Sequence, residues 1–160
     1  MNQQNRDSLI RNLNDSHRQM SDLLRTVADD QDWQPEAGSW SFRYIAAHMA
    51  ACDKECLLAR IQQIASGENP SFEFYSNTGR DFSPLDLKRS LDEWDATRQE
   101  IINFFRSLSD EKLKLTGSHK TFGVITVPDY LEIGVGHDRE HIQELKQMLS
   151  EYNQHNQHEK

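Results

Sequence analysis

The sequence predicts an all-α fold in which residues 1–150 form one four-helix bundle and residues 151–160 form a disordered tail. Four segments carry apolar residues at intervals of three or four, which is the periodicity of an amphipathic helix. Segments that contain proline or glycine separate them, and each helical segment is long enough to span a bundle. The tail has no apolar stripe, which is typical of a frayed end.

The first predicted helix covers about residues 5–28 and the second about residues 40–65. The stripe of the first helix consists of Leu9, Leu13, His17, Met20, Leu24 and Val27. The inward face of the second helix consists of Ile45, His48 or Met49, Cys52 and Ala59. In each helix a histidine therefore occupies a position where the pattern expects an aliphatic side chain.

The third and fourth predicted helices each begin with a capping residue followed by proline. Ser83 precedes Pro84 at the third helix, and Thr126 precedes Pro128 at the fourth. The stripe of the third helix consists of Leu87, Leu91, Trp94, Ile101, Phe105 and Leu108. The stripe of the fourth helix, which we expect to end near residue 150, consists of Tyr130, Gly134, His137, His141, Leu145 and Met148. Between these helices, residues 121–127 favour a short extended piece or a hairpin.

The connection over residues 66–82 is long enough to cross the bundle. An extended chain spans about 3.3–3.6 Å per residue, so this connection reaches past about 50 Å, whereas a helix of roughly 20–25 residues is about 35 Å long. The second and third helices can therefore run parallel, in an up-down-down-up arrangement. The aromatic residues of the connection either hold it on the bundle, line a substrate pocket or form a dimer contact. They are Phe72, Phe74, Tyr75 and Phe82.

Charge and hydropathy argue against several classes of partner. The chain has 18 lysine and arginine residues against 26 aspartate and glutamate residues, a net charge of -8. No basic cluster could neutralise a row of phosphates, so we expect no nucleic acid partner and no membrane partner. The amino-terminal segment lacks the apolar core of a secretory signal, and no segment approaches the ~20 apolar residues of a membrane span. We therefore expect a cytoplasmic protein with Cys52 and Cys56 as reduced thiols.

His137 and His141 are four residues apart on one predicted helix, so their imidazoles point to the same place. Such a pair alone is weak evidence, but an unpartnered polar group on an apolar stripe would cost about 1–3 kcal/mol. His48 faces inward from another helix, and three neutral imidazoles with one open position form the catalytic arrangement of zinc. We therefore predict that these three residues bind one divalent metal ion, since imidazole suits borderline divalent metals. Core histidines satisfied by hydrogen bonds are the alternative.

Neighbouring residues admit two interpretations each. His17 and Cys52 are candidates for a further ligand, although a hydrogen-bonded core histidine and a small buried hydrophobe are the simpler interpretations. Gly134 and Gly136 either fray the helix or pack closely, or they open a pocket above the metal. Two acidic residues of the same helix either orient the imidazoles or are solvated; they are Glu140 and Glu144.

The motifs of this chain resemble those of the DinB-like, or YfiT-like, superfamily of metal-binding four-helix bundles. The resemblance covers nearly the whole chain and rests on Trp33-Gln-Pro35, Gly38-Ser-Trp40-Ser41, His48 and Gly136-His137-Asp-Arg-Glu-His141-Ile-Gln-Glu-Leu. In that family, one histidine of the second helix and two histidines of the fourth helix bind the metal. The resemblance therefore implies the same role for His48, His137 and His141.

The resemblance also implies a crossover bundle, frequent homodimers, and nickel or zinc as the metal. Characterised members include thiol-dependent transferases and isomerases that use bacillithiol or mycothiol. We therefore expect a metal-dependent enzyme that acts on a small molecule, either as an S-transferase with a low-molecular-weight thiol or as a hydrolase. A noncatalytic metal-binding or stress-related interaction module is the alternative from another functional class. A metal-free bundle that binds a small apolar ligand is the third.

Overall fold

The computed structural model describes residues 1–159, which form a bundle of four helices with a small sheet at one end. The helices are α1 (Gln3–Arg25), α2 (Phe42–Ala51, the π-helical segment Cys52–Leu58, and Ala59–Ala65), α3 (Leu87–Ser107) and α4 (Val127–His158). Short 3-10 helices cover Ala28–Asp30 and Lys112–Lys114. The predicted all-α four-helix bundle is confirmed. Within residues 1–159, every helix is too short or too polar to cross a membrane.

The sheet has three short strands in the order β1-β2-β3. They are β1 (Ser71–Phe72), β2 (Thr116–His119) and β3 (Gly123–Thr126). β2 and β3 form an antiparallel hairpin in which Thr116 lies opposite Thr126, and β1 pairs in parallel with β2. The predicted hairpin is thus confirmed, but it already begins at Thr116. Gly123 has a φ of 72°, which suits glycine at the end of the turn.

The helices run up, down, down and up. Apolar residues early in α1 share a core cluster with residues early in α4, and residues late in α1 cluster with residues late in α4, so these helices are parallel. Phe42 of α2 and Leu87 of α3 lie at one end of the core, whereas Ile61 and Phe105 lie at the other. The connection between α2 and α3 therefore crosses the length of the bundle, and the predicted crossover topology is confirmed.

The two later helices begin differently from one another. Thr126 and Asp129 form a reciprocal capping box at α4, as the cap-and-proline pattern predicts. The prediction of a Ser83 cap for α3 is wrong. Asp86 caps that helix instead, because its Oδ2 accepts a hydrogen bond from the Arg89 backbone N–H at 3.1 Å.

The end of α4 also lies elsewhere than predicted. The helix continues to His158, so the predicted end near residue 150 is wrong, and residues 151–158 are helical where the sequence indicates a disordered tail. Tyr152 explains the difference, since its ring packs on Trp33 and Phe42 and its hydroxyl donates a hydrogen bond to Asp30. These partners lie far away in sequence, so no local pattern indicates the contact.

A buried arginine lies in the centre of the bundle. Arg98 of α3 falls between Trp94 and Ile101 on the apolar stripe, at a position that we did not assign to the core, and only 1% of it is exposed. In α4, too, a polar residue takes a position where an apolar one is expected: Asp138 lies at the centre of the buried stripe and is 1% exposed. In the middle of α4 the buried positions are therefore one residue later than predicted, at Val135, Asp138 and Ile142, and His137 lies at the edge of the stripe.

Arg98 of α3 contacts the other three helices through its five N–H groups. Its Nε and Nη2 donate to Asp53 of α2 at 2.7 and 3.0 Å, and its Nη1 and Nη2 donate to Asp138 of α4 at 2.8 and 3.2 Å. Nη1 also donates to the Leu13 carbonyl of α1 at 2.9 Å. The Ser16 hydroxyl completes the cluster by donating to Asp138 at 2.6 Å. Each guanidinium donor therefore has an acceptor.

Arg98 keeps its charge in spite of burial. Burial disfavours the charged guanidinium, but the carboxylates of Asp53 and Asp138 outweigh it and raise the pKa of Arg98 far above its ordinary value. Burial raises the pKa of Asp53, whereas Arg98 acts to lower it. Removing one partner of such a buried set leaves charge without compensation, which typically costs about 3–5 kcal/mol.

We expect Arg98→Ala to lower the free energy of unfolding by about 3–5 kcal/mol, because two buried carboxylates lose their counter-charge. Arg89→Ala is the matched control on the same helix, since Arg89 pairs only with exposed Glu93 at 3.5 Å. That change should cost no more than about 0.5 kcal/mol. Urea unfolding followed by circular dichroism measures both, and equal costs would contradict the central role of Arg98.

Candidate metal centre

The three histidines singled out by the sequence converge in the structure. Nε2 of His141 lies 3.2 Å from Nε2 of His48 and 3.0 Å from Nε2 of His137. His48 comes from α2 and is buried, whereas the other two are half-buried and stand one turn apart on α4. Helices α2 and α4 thus bring all three imidazoles to one point, and metal binding by them remains a prediction.

Hydrogen bonds at the far side of two rings fix the proton positions. Nδ1 of His48 lies 2.5 Å from the amide oxygen of Asn77, and Nδ1 of His141 lies 3.0 Å from a carboxylate oxygen of Glu144. Since these oxygens accept hydrogen bonds, Nδ1 is the donor nitrogen in both rings. The Nε2 atoms of His48 and His141 are therefore the ones that face the common point, as in metal-binding histidines.

The donor set fits a divalent ion. The Nε2 atoms of His48 and His141 lie 3.2 Å apart, so one ion between them could contact both. Zinc with Zn–N distances of about 2.0–2.1 Å places tetrahedral nitrogens about 3.3 Å apart, close to the observed separations. Burial, with added effects of His141 and His48, lowers the pKa of His137 to about 4. Burial also lowers the pKa of His48, so both rings are neutral near pH 7, as metal binding requires.

Cys52 lies one turn after His48, with its sulfur beside the His48 ring. Its Sγ is 3.7 Å from Nε2 and 3.8 Å from Nδ1 of His48. Cys52, His48 and His137 each offer a ligand atom within 4.8 Å of the others, in a group that does not include His141. His141 makes the shorter contacts with the other histidines and remains the stronger candidate ligand. Burial raises the pKa of the Cys52 thiol to about 12, so without a metal the sulfur keeps its proton. Cys56 instead contacts the Tyr130 hydroxyl at 3.4 Å.

A cavity of about 540 Å³ adjoins the histidines. Its aromatic and apolar lining consists of Trp40, Leu57, Phe74, Tyr75, Phe122, Tyr130 and Ile133. Its polar lining includes both cysteines, His119 at the end of β2, Asp53 and Glu140. Among residues 1–159, no lysine or arginine lines the cavity. The walls therefore offer apolar contact and negative charge but no counter-charge for an anion.

The aromatic residues of the crossing connection divide between two roles. Phe72 and Phe82 are buried and hold the connection on the bundle, whereas Phe74 is 72% exposed and lines the cavity mouth beside Tyr75. The Tyr75 hydroxyl donates to Glu55 of α2 at 2.6 Å, which attaches this part of the connection to the bundle. Both predicted roles, holding the loop and lining a pocket, therefore occur.

The remaining candidates are one histidine outside the centre and two acidic residues beside it. His17 contacts the Trp94 ring edge-on, and its Nε2 lies 2.9 Å from an Asp95 oxygen, so it does not join the other histidines. Of the two acidic residues on α4, Glu144 contacts His141, while Glu140 lines the cavity.

Asn77 is the site residue that sequence reasoning missed. It is 4% exposed and lies in the crossing connection, where no periodicity distinguishes inward from outward positions. Besides its contact with His48, its amide N–H group donates to the Tyr75 hydroxyl at 3.3 Å and to Cys52 Sγ at 3.7 Å. Asn77 is thus a positioning residue for two side chains of the centre.

The chain was compared with known families and structures. The family model described as DinB superfamily matches residues 12–145, which is most of the chain. Among solved structures, YfiT from Bacillus subtilis, described as a probable metal-dependent hydrolase with an unusual four-helix bundle topology, is similar. It is 21% identical with a TM-score of 0.76, and the match covers 94% of this chain and 90% of that chain. The search of curated proteins gave no match.

Two glycines that precede the α4 histidines provide a test of how the cavity wall is packed. A Cβ at Gly134 would lie 2.9 Å from Leu57 Cδ2, whereas a Cβ at Gly136 would meet nothing within 4 Å. We expect Gly136→Ala to raise the free energy of unfolding of the metal-free protein by about 0.5–1 kcal/mol through helix propensity. Gly134→Ala should raise the free energy of unfolding by a smaller amount or lower it, because the Leu57 side chain must move to make room. Equal effects in urea unfolding would contradict close packing at Gly134.

Proposed function

Because the chain belongs to the DinB superfamily, we propose that it is a metal-dependent enzyme in which His48, His137 and His141 hold one divalent ion. This proposal rests on the convergence of three Nε2 atoms: that of His141 lies 3.2 Å from that of His48 and 3.0 Å from that of His137. Imidazole suits both zinc and nickel, so the donor set is compatible with either. The description of YfiT as a probable metal-dependent hydrolase supports hydrolysis as the reaction.

The surrounding residues hold and orient the ligands. A bound divalent ion would supply a Lewis acid and lower the pKa of a coordinated water. Asn77 and Glu144 hold the His48 and His141 rings by their Nδ1 atoms, so that both Nε2 atoms keep their direction. The Trp40 ring lies 4.7 Å from His48 and stacks on His141 at 5.9 Å between centroids, which shields that side of the centre from water.

Glu140 is the carboxylate available for proton transfer. Two carboxylates line the cavity, but Asp53 is engaged by Arg98 through both oxygens. Glu140 has no such partner among residues 1–159 and lies one residue before the His141 ligand. We assign it the role of general base, which requires a carboxylate within reach of the reacting proton.

The cavity favours a particular class of substrate. Its volume of about 540 Å³ lies within the range of small-molecule sites, and aromatic side chains form much of its wall. An anionic substrate would find no lysine or arginine on the lining, so we propose an uncharged or cationic, largely apolar small molecule. Because no lysine or arginine among residues 1–159 lines the cavity, a thiol that carries carboxylates would find no counter-charge there, which favours hydrolysis over S-transfer with such a thiol. A cavity adjoining the ligands favours catalysis over a noncatalytic module.

We expect the wild-type protein to hold about one divalent ion per chain and His48→Ala or His141→Ala to lose most of it, because each removes one of three ligands. His155→Ala is the control, since His155 is 51% exposed near the end of α4. Elemental mass spectrometry of the purified proteins measures the ion content. Normal ion content in both ligand variants would contradict the site.

Activity is tested with two panels, one of neutral aromatic esters and amides and one of low-molecular-weight thiols paired with electrophiles. The proposal requires ester or amide turnover by the metal-loaded protein, its loss on chelation and its recovery on adding metal. Turnover that persists in chelated protein would remove the metal from the mechanism. Turnover only in the thiol panel would replace hydrolysis by S-transfer.

We expect the protein to remain folded without metal. Two apolar clusters lie along the bundle and the Arg98 cluster joins its helices, so the core does not depend on the ion. Chelation should leave the helical circular dichroism signal in place and lower the melting temperature only by the ligand-binding contribution. Loss of the helical signal at room temperature would show that the ion is a structural element.

A further inference from the structure

We propose that His119 is a specificity-determining residue, whose Nε2 donates a hydrogen bond to an uncharged acceptor oxygen of the small molecule in the cavity. The inference rests on the proposed function and deepens it, since it adds a polar group to the substrate class. His119 ends β2 and lines the cavity, and it is not one of the three candidate ligands of the ion. The substrate would then carry a carbonyl or similar oxygen apart from the bond that is hydrolysed.

The hairpin around His119 fixes the position of its proton. Thr121, in the turn between β2 and β3, donates its backbone N–H to Nδ1 of His119 at 3.0 Å. Nδ1 is therefore an acceptor and carries no proton. A neutral imidazole of this kind has its proton on Nε2, which makes that nitrogen a donor. Burial, with a smaller effect of the Arg60 guanidinium, lowers the pKa of His119, so the ring is neutral near pH 7.

The Nε2 donor of His119 has no partner within the described chain. The residue is 4% exposed, and within residues 1–159 its only side-chain hydrogen bond is the one at Nδ1. Nε2 is not sealed inside the protein either, because the fully enclosed side-chain polar atoms without a partner belong to other residues of that range. Buried polar groups generally have hydrogen-bond partners. The cavity is thus the place from which an acceptor can reach Nε2.

Aromatic rings surround this donor. The His119 ring lies 4.6 Å from the ring of Phe122 and 6.2 Å from that of Tyr130, and both neighbours line the same cavity. Arg60 donates to the Tyr130 hydroxyl at 2.8 Å, which holds the Tyr130 ring in place. A hydrogen bond in such apolar surroundings is stronger than one in water. This end of the cavity therefore distinguishes an oxygen from a methylene group of similar size.

The donor and the three histidines contact different parts of a bound molecule. Tyr130, beside His119, is seven residues before His137 on α4, which corresponds to about 10 Å along the helix axis. The cavity extends to both residues. A substrate whose reacting bond lies at the ion can therefore extend about two helical turns to place its oxygen beside His119.

Two probes of nearly equal shape test this donor without relying on turnover. Acetophenone carries a carbonyl oxygen, and α-methylstyrene carries a methylene group in its place. NMR titration measures both dissociation constants, and their ratio gives the preference for the carbonyl. We expect this preference to be about five-fold greater in wild-type protein than in His119→Asn, which is the typical contribution of one hydrogen bond. Any preference that arises from coordination to the ion is the same in both proteins and cancels.

The choice of variants separates the donor from a structural role. Asparagine at position 119 can still accept the Thr121 N–H but has no donor at the position of Nε2. His119→Gln keeps an N–H near that position and should retain most of the preference. His155→Asn makes the same change at an exposed position and should behave as wild type. Circular dichroism establishes that each variant is folded.

A second readout needs only the wild-type protein with nitrogen-15-labelled histidine. Long-range NMR spectra show which ring nitrogen of His119 carries the proton, and acetophenone should move the Nε2 proton resonance further downfield than α-methylstyrene does. A proton on Nδ1 would overturn the inference, as would an equal preference in wild type and His119→Asn, or a wild-type protein that binds neither probe. Absence of ester and amide turnover would overturn the proposed function and leave a measured preference at His119 in place.

Discussion

The four helices of this bundle meet at one buried guanidinium, and the position of the candidate centre depends on that meeting. Arg98 holds Asp53 of α2 and Asp138 of α4, each through two hydrogen bonds. These carboxylates are the sequence neighbours of Cys52 and His137. A bidentate contact is lost when its carboxylate moves out of line with the guanidinium. The two contacts therefore fix the positions of α2 and α4 along the bundle axis. The same contacts therefore place the sulfur and imidazole groups of the two helices opposite one another.

The centre combines this rigid base with walls supplied by connecting segments. The crossing connection contributes Asn77 behind one imidazole and aromatic side chains around the mouth. β1 of that connection pairs with β2, so the sheet joins two loops that would otherwise be independent. The cavity wall thus comes in part from connecting segments, which in proteins generally tolerate more variation than helices, while the candidate donor atoms come from α2 and α4.

Helical periodicity predicted the four helices and placed His48, His137 and His141 on inward faces, whereas the crossover followed from the length of the connection together with the family resemblance, which also supported the meeting of the three histidines. Periodicity failed where a polar side chain replaced an expected apolar one. Arg98 filled the space between Trp94 and Ile101, and Asp138 occupied the centre of the α4 stripe, because each is compensated by partners on other helices. Asn77 and the end of α4 depend on contacts between distant segments, for which a single sequence carries no local signal. The π-helical turns likewise follow from packing and have no distinctive composition.

The crossover topology also determines when the centre can form during synthesis. His48 and His141 are 93 residues apart in sequence, and the contacts of Arg98 extend over 85 residues to α1 and 40 residues to α4. A nascent chain that ends before α4 has one of the three histidines and one of the two carboxylate partners. Long-range contacts of this kind form late and make folding slower. The three histidines of the candidate centre can therefore meet only after α4 has been synthesised.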